Sequence, residues 1–507
     1  MGHRIAREGL PSDDAYPPPV RVPVIVLGAG ASGLAAAWRL VRRGRSDLLV
    51  VDLEPRIGGT STWGRNAVSS YPWGAHYLPV PFASNASLVS LLREMGIVEG
   101  VDPRGEPVLA EDALCREPEE RLFHHGYWEE GLYARTGASA DDLRQLAEWQ
   151  HEVDRWVALR DGRGRRAFAI PVDASSDDPD VYALDRVSAA AWMDRKGWTS
   201  PRLRWLVEYG LRDDYGLTLT TASAWAALFY ACSRQRAPGE EPQPVLTWPE
   251  GNGRLVRHLE HVVGAERIRT RVLVTEVLRS EAGTGTGTVE VRGLDVTDRD
   301  APRPVRWSAD RVVFALPKHV ARFVVREWRE APPPWLASFE HGAWMVANLT
   351  LHDRPPSRGF QLAWDNVIQD SRSLGYVVAT HQRYRDLGPT VWTYYQPMLD
   401  ADARAGRARL LRRTWREWRD IVVHDLERAH PTLLDSLDRI DVWRWGHAMV
   451  RPRVGFVSGT ARRRAREPLG AIHFAHSDLS GVALFEEAFH HGLRAADEIL
   501  AALAERG

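Results

Sequence analysis

Lysine is almost missing from this chain. Of its 66 basic residues only Lys196 and Lys318 are lysines; the rest are arginine. A GC-rich coding bias accounts for most of that preference. A lysine that survives it marks a place where an ammonium serves and a guanidinium does not, which singles out Lys318. Cysteine is equally scarce. Cys115 and Cys232 are the only two, too few for a disulfide framework and in keeping with a reducing, cytoplasmic setting. No window reaches the 18 or so consecutive apolar residues of a membrane span. Net charge is -1, with 66 basic against 67 acidic residues, so no overall field draws the protein to nucleic acid or an anionic membrane. The 21 tryptophans follow no fixed period, which argues against a solenoid or propeller. Most are expected in the core, with some left to wall a pocket. The pairs His124-His125 and His490-His491 lack metal-ligand spacing, so no metal is expected. No Ser-His-Asp or Cys-His constellation is evident.

What is present is enough chain for two domains. The first 20 residues, MGHRIAREGLPSDDAYPPPV, read as a disordered leader. VPVIVLG is a continuously apolar strand of the parallel kind, ASGLAAAWRLVRRG an alanine-rich helix, and DLLVVD a second strand. Residues 137–235 are mostly helical. Strands follow at VLVTEVLR and TVEVRGL around AGTGTGT, whose alternating glycines suggest a mobile hairpin tip. DRVVFALP is another apolar strand. From about 345 the period becomes two, and VANLTLHD, FQLAWDNVI, LGYVVATH and TVWTYYQ read as successive antiparallel strands. One long helix, ARLLRRTWREWRDIVVHDLERAH, is expected next. The chain closes with strand AIHFAH, a glycine-containing loop and a final helix. This alternation predicts an α/β dinucleotide-binding domain (21–100, 240–330 and 440–507) interleaved with an α+β substrate domain of helices and antiparallel sheet (101–239 and 331–439).

Gly28, Gly30 and Gly33 form G-x-G-x-x-G between that strand and helix. Gly28 permits the tight turn, Gly30 lets a pyrophosphate approach the backbone, and Gly33 lets helix pack on strand. Ala31 and Ser32, opening the helix, present amides to phosphate. Asp52 ends the second strand at the spacing of a ribose-binding acid, while Glu54 lies beyond it and is expected to face solvent.

After Asp52 come Leu53, Glu54, Pro55, Arg56, Ile57 and the pair Gly58-Gly59. Here the sequence resembles the FAD-dependent superfamily of flavin amine oxidases, protoporphyrinogen oxidases and phytoene desaturases. The resemblance implies a Rossmann-like FAD domain, with Asp52, Leu53, Arg56, Gly58, Gly59 and Thr60 along the ribose, pyrophosphate and ribityl chain. WGAHYL resembles the segment passing the isoalloxazine ring, which assigns Gly74, Ala75 and His76 to the flavin. WPEGNGRLVRHL resembles the turn and helix before the adenine-binding strand, where Val274, or its rival Val272, takes the adenine. In the closing AIHFAHSDLSGVALFEEAFHHGLRAADEIL, Gly481, Val482 and Ala483 would supply amides to the flavin's pyrimidine edge.

Two departures stand out. The family's Phe-Ala-Gly-acid is Phe474, Ala475, His476, Ser477 and Asp478 here, so either Asp478 or Ser477 meets the ribityl hydroxyls. His476 would contact flavin or substrate, or is a solvated loop histidine. The family's amine oxidases carry a lysine five residues past the strand-closing proline, linked with rapid reaction of reduced flavin with oxygen. From Pro317 that place is Arg322, while Lys318 follows the proline directly.

The resemblance implies an FAD-dependent, amine oxidase-like oxidoreductase taking a hydride equivalent from a small molecule to flavin N5. A desaturase or isomerase acting on an isoprenoid or tetrapyrrole is the alternative within enzymes; a non-catalytic flavin-binding partner subunit is the alternative outside them. Candidate catalytic residues are Lys318, His476 and Trp445, with His447 beside the last. Asp213 and Asp214 in LRDDYG are either a site for a cationic amine or an exposed helix end. Trp392 and Tyr394 share one strand face and either wall a cavity or fill the core.

Overall fold

The computed structural model describes residues 9–240, 243–279, 288–383 and 386–504. Two seven-stranded sheets organise them. At the centre of the first lies β1 (Val20–Leu27), followed by α1 (Ala31–Arg42) and β2 (Leu48–Val51). β1 pairs in parallel with β2 on one side and with β3 (Arg303–Phe314) on the other. β3 is longer than DRVVFALP suggested. Its first half pairs antiparallel with Val289–Asp295, and its last residues pair in parallel with Ile472–Phe474. The apolar residues of β1 are buried because both faces of this sheet are covered. The proposed hairpin tip, 282–288, lies outside the described residues except for Thr288.

The leader expected over 1–20 is corrected in part. Residues 1–8 lie outside the described residues; most of 9–20 is exposed, but the segment is held at Asp13 and Tyr16. Asp13 pairs with Arg292 at 2.5 Å, and the Tyr16 ring, 8% exposed, lies under the same guanidinium. An aromatic ring and an ion pair hold a segment whose composition alone reads as loose.

The helical insert carries α2 (Pro201–Tyr215). Ser200 caps it by accepting from the Leu203 amide, Pro201 occupies the first turn, and Gly216 (φ +62°) ends it. These signals fix where the last turn falls, and that turn carries Asp213 and Asp214. Trp149, Trp156, Trp192, Trp198 and Trp225 are core residues of the insert.

The second sheet runs in the order Leu437–Val450, His341–Leu351, Thr390–Pro397, Tyr376–Val378, Asp365–Ile368, Glu120–His124, Tyr127–Glu130. We label His341–Leu351 β4 and Leu437–Val450 β5. The boundary expected at 440 therefore falls inside β5, which pairs with β4 and belongs to the second sheet. The Glu120–Glu130 hairpin also joins this sheet, through a parallel pairing with Asp365–Ile368 that the period-two pattern did not signal. The single helix expected after 402 is two, Ala403–Arg412 and Trp415–Glu427. Thr414 starts the second through a capping box with Glu417.

The chain closes with α3 (Phe485–Ala504), which lies against α1. A Cβ on Gly492 would run into the Ser32 carbonyl oxygen, so the two helices touch backbone to backbone at that point.

Candidate functional site

The turn between β1 and α1 is drawn tight. Gly28 has φ +100°, and a Cβ on Gly33 would collide with the Gly28 carbonyl oxygen. The first bond inside α1 is Leu34 N–H to Gly30 O, so the amides of Ala31, Ser32 and Gly33 have no partner within the helix. Ser32 Oγ is buried and bonded to nothing among the described residues. Asp52 accepts from the Ala29 amide at 2.6 Å and from the Glu54 amide at 2.8 Å. Burial still pushes its carboxyl up to about 6, because two amides offset only part of the desolvation. Glu54 is exposed, as expected.

The glycine pair lies directly on this turn. The Gly58 amide donates to Ala29 O at 2.8 Å, and a Cβ on Gly59 would come within 3.3 Å of the Gly30 Cα. Both glycines have positive φ, +106° and +56°. Leu53 is half-buried, while Arg56 is exposed and donates to Trp63 O. Thr60 O accepts from the Ala75 amide at 2.9 Å, and Gly74 sits where any Cβ would hit that same oxygen. The fingerprint loop, the glycine pair and the 74–76 segment thus form one cradle. Val274 and Val272 both lie on the neighbouring strand, Val272–Arg279. The Val272 amide is bonded to Asp52 O at 2.8 Å, and Val274 pairs with Gly293 on the next strand.

Asp478 forms a knot under the cradle. One oxygen accepts from the Lys318 amide at 2.7 Å and from His341 Nε2 at 3.0 Å; His476 Nδ1 lies 3.0 Å from the other. The two imidazoles hold this buried carboxyl well below the usual range, against the cost of burial. Ser477 precedes it in the same turn and is also buried. His476 stands at φ +121°, ψ +147°, a backbone conformation that suits glycine, in the place where the resembling family has glycine. A side chain held there costs about 1–3 kcal/mol.

Lys318 does not reach the cavity. Its ammonium is buried without a hydrogen-bond partner among the described residues, 3.8 Å from the Phe474 ring centre. Burial there lowers its pKa well below the ordinary lysine value. Phe314 and Phe474 belong to the apolar cluster beneath the first sheet, so the side chain points into the core. Arg322 is exposed and stacked on Phe323. His447 stacks on His319 at 4.0 Å rather than lining the cavity.

Beside the cradle opens a cavity that shares Thr60, Gly74, Ala75 and His76 with it. Its aromatic walls include His76, Tyr77, Trp344, Tyr395 and Trp445, and its acids are Asp213, Asp214 and Glu486. Trp445 is anchored by its indole N–H on Trp73 O at 2.6 Å. His76 stacks on Tyr395 at 4.5 Å and meets Tyr77 and Trp364 at 5.1 and 5.5 Å. Its Nδ1 lies 3.3 Å from Gly74 O, and a carbonyl only accepts, so Nδ1 carries the proton and Nε2 is left as an acceptor. Burial lowers its pKa to about 4 and keeps it neutral.

Two alternatives left open by the sequence are decided here, and one expectation changes. Trp392 and Tyr394 are fully buried in the second sheet's core; Tyr395, on the opposite strand face, walls the cavity and donates to Gly74 O at 2.9 Å. Asp213 and Asp214 are not an exposed helix end. One Arg234 nitrogen reaches both Asp214 oxygens, at 2.8 and 2.6 Å, and the Tyr77 hydroxyl lies 3.2 Å from an oxygen of each aspartate. Burial and its neighbours Asp214 and Asp365 push the Asp213 carboxyl up to about 8. Finally, α3 begins at Phe485, so the amides at its N-terminus belong to Phe485, Glu486 and Glu487, not to Gly481, Val482 and Ala483. Of those three, Ala483 alone lines the cavity.

Two acids that sequence reading missed stand behind Asp213 rather than on the cavity wall. Glu120 and Asp365 are register partners on parallel strands, and the Tyr209 hydroxyl donates to Asp365 at 2.9 Å. Burial raises both acids, to about 8 and about 7. No local motif marks them, since the pairing that joins them spans 245 residues. Elsewhere, Asp173, His490 and His491 converge within 4.8 Å, but Arg466 already pairs with Asp173 at 3.1 Å.

Residues 31–500 match the family described as flavin containing amine oxidoreductase. The FAD-binding monooxygenase ausB of Aspergillus calidoustus is 32% identical over 162 residues, which is 31% of this chain and 21% of that protein. The match therefore spans about a fifth of the relative's length. Among solved structures, putrescine oxidase bound to putrescine is 17% identical, with a TM-score of 0.68, covering 96% of this chain and 100% of that one. Cyclohexylamine oxidase from Brevibacterium oxydans IH-35A is 16% identical, with a TM-score of 0.65, covering 96% and 100%. At these identities the structural likeness speaks for the fold. No helix among the described residues is long and apolar enough to cross a membrane.

Proposed function

The chain belongs to the flavin-containing amine oxidoreductases, an FAD-dependent enzyme family, and on that premise we propose that it oxidises a cationic amine in the acidic, aromatic-walled cavity. The carrying observation is that this cavity shares Thr60, Gly74, Ala75 and His76 with the cradle, so a bound amine and the cofactor would meet there.

The cradle suits FAD. Unpaired amides at Ala31–Gly33 and the orphan Ser32 hydroxyl face phosphate chemistry, and positions 28, 33, 58, 59 and 74 admit no side chain without strain or collision. We assign the ribose to Asp52, the pyrophosphate to residues 30–33 and 58–60, the adenine to Val274, and the ribityl chain to the neighbourhood of Asp478. The pyrimidine edge falls to the α3 N-terminus, where Glu486 and Glu487, raised by burial to about 8 and about 7, need not oppose negative charge. FAD held there would supply the acceptor for a hydride equivalent.

In this reading Asp213 anchors the substrate ammonium, and Tyr77, Tyr395 and Trp445 wall its chain and keep water out. The acids argue against the desaturase alternative, because an isoprenoid has nothing to offer a buried carboxylate. Two buried, unpaired cysteines fit the cytoplasm we assign to it.

Anaerobic mixing of the holoenzyme with primary amines, isoprenoids and tetrapyrroles tests the reading. Amines alone should bleach the flavin. Bleaching by a polyene alone would sink the proposal, and no bleaching by any of them would favour a binding subunit. With no lysine in the cavity, colour should return slowly on admitting air.

A further inference from the structure

Four residues other than glycine have positive φ among the described residues. His125, Arg271 and Asp370 lie between +48° and +60°, in the ordinary left-handed region; His476 alone stands at +121°. The resembling family has glycine at that place, so the side chain is a feature of this chain. A bulky residue kept in such a conformation against its strain points to a task for that side chain.

The topology says where the side chain stands. Leu27, Phe314 and Phe474 are register partners across β1, β3 and Ile472–Phe474. His476 therefore leaves the sheet at the same edge as Gly28, two strands away, or about 10 Å. Ligands of such sheets lie along that edge. The ring is 24% exposed, and its Nδ1 is turned to the buried Asp478. The Asp478 amide donates to Nδ1 at 3.2 Å, while Oδ1 lies 3.0 Å off without forming a hydrogen bond. With Nδ1 accepting, the ring proton sits on Nε2. A second proton, drawn to Nδ1 by the carboxylate, would give imidazolium and leave Nε2–H in place. In both states Nε2 is a donor, and it has no partner among the described residues.

The cradle is otherwise short of positive charge. Arg56 is turned to Trp63 O, and Lys318 points into the core. Asp478, held ionised by His341 and His476, would repel a diphosphate passing nearby, and an imidazole in contact with that carboxylate offsets its charge. We propose that His476 is a cofactor-binding residue whose Nε2–H donates to the diphosphate of FAD, a contact that glycine cannot make. This contact depends on the cofactor alone and is indifferent to the substrate.

The test strips flavin from the full-length protein and titrates FAD back. Affinity is read from the quenching of flavin fluorescence, and stability of the apoprotein from urea unfolding. His476→Gly should weaken FAD binding on the order of 10- to 100-fold, the loss expected for a hydrogen bond to a charged group. The urea midpoint should not fall, whereas a merely structural histidine would move stability and affinity together. His476→Gln keeps an N–H at similar reach and should stay within about threefold of the wild type. His476→Asn, too short to reach, answers the same question if the glycine variant fails to fold. Riboflavin, which has no phosphate, should bind wild type and His476→Gly alike. Equal FAD affinity in wild type and His476→Gly would make His476 a solvated loop residue and overturn the proposal. An equal loss for riboflavin would overturn it too, by placing the contact on the ribityl chain or the ring. A wild-type apoprotein that takes up no FAD would overturn the cradle itself.

Discussion

The cradle and the cavity share four residues yet are built in opposite ways. The cradle is made of backbone. Gly28, Gly33, Gly58, Gly59 and Gly74 matter for the side chain they lack, and they come from two short stretches of sequence. The cavity is made of side chains that the fold gathers from α2, α3, β4, β5 and the strand Thr390–Pro397. Breaking the first should destroy cofactor binding outright. Breaking the second should leave a yellow protein with the wrong substrate.

The largest effect is expected at Gly33→Val. Its side chain collides with the Gly28 carbonyl, so we expect a loss of about 4 kcal/mol or more in stability, with no flavin retained, read by urea unfolding and visible absorbance. Arg234→Ala strikes the cavity instead. It leaves Asp214 buried without its cation, at a cost of about 3 kcal/mol, and the remaining folded protein should still bind FAD. Equal loss of flavin in both variants would erase the distinction between the two regions.

A gentler probe is pH. The Asp213 carboxyl is raised to about 8, so it is mostly protonated below that value and cannot pair with an ammonium. Amine affinity should therefore rise as pH rises toward 8, by up to about tenfold per unit, and level off above it. A flat profile in calorimetric titrations from pH 6 to 9 would remove Asp213 from the site. The smallest change is expected from His476→Gly. Releasing the strained backbone should stabilise the fold by about 1 kcal/mol, offset in part by the lost contact to Asp478. Destabilisation, seen as a lower urea midpoint, would mean that the histidine's contacts outweigh its strain.

The same contrast explains what could be read from sequence. The fingerprint, Asp52 and the glycine pair are legible because their geometry is set within 35 residues, by turns only glycine can make. Asp213 was noticed as half of an acidic pair, but part of its upward shift comes from Asp365, which pairs with Glu120 on strands far apart in sequence. On the strand Thr390–Pro397 alternation correctly grouped Trp392 with Tyr394. It could not say which face met the cavity, and Tyr395 proved to be the wall. Lys318 misled because scarcity marks a residue as unusual without saying where it points. The acids at the start of α3 were overlooked because the helix begins four residues later than its glycine suggested.

The most direct test of the account asks whether cavity and cradle are one site. A cation that cannot be oxidised, such as benzamidine, can be titrated into the oxidised holoenzyme while the flavin's visible spectrum is followed. The account predicts a saturable spectral shift in the wild type and at least about tenfold weaker binding in Asp213→Asn, with the same cofactor content. A cation that binds tightly and leaves the flavin spectrum untouched would contradict it.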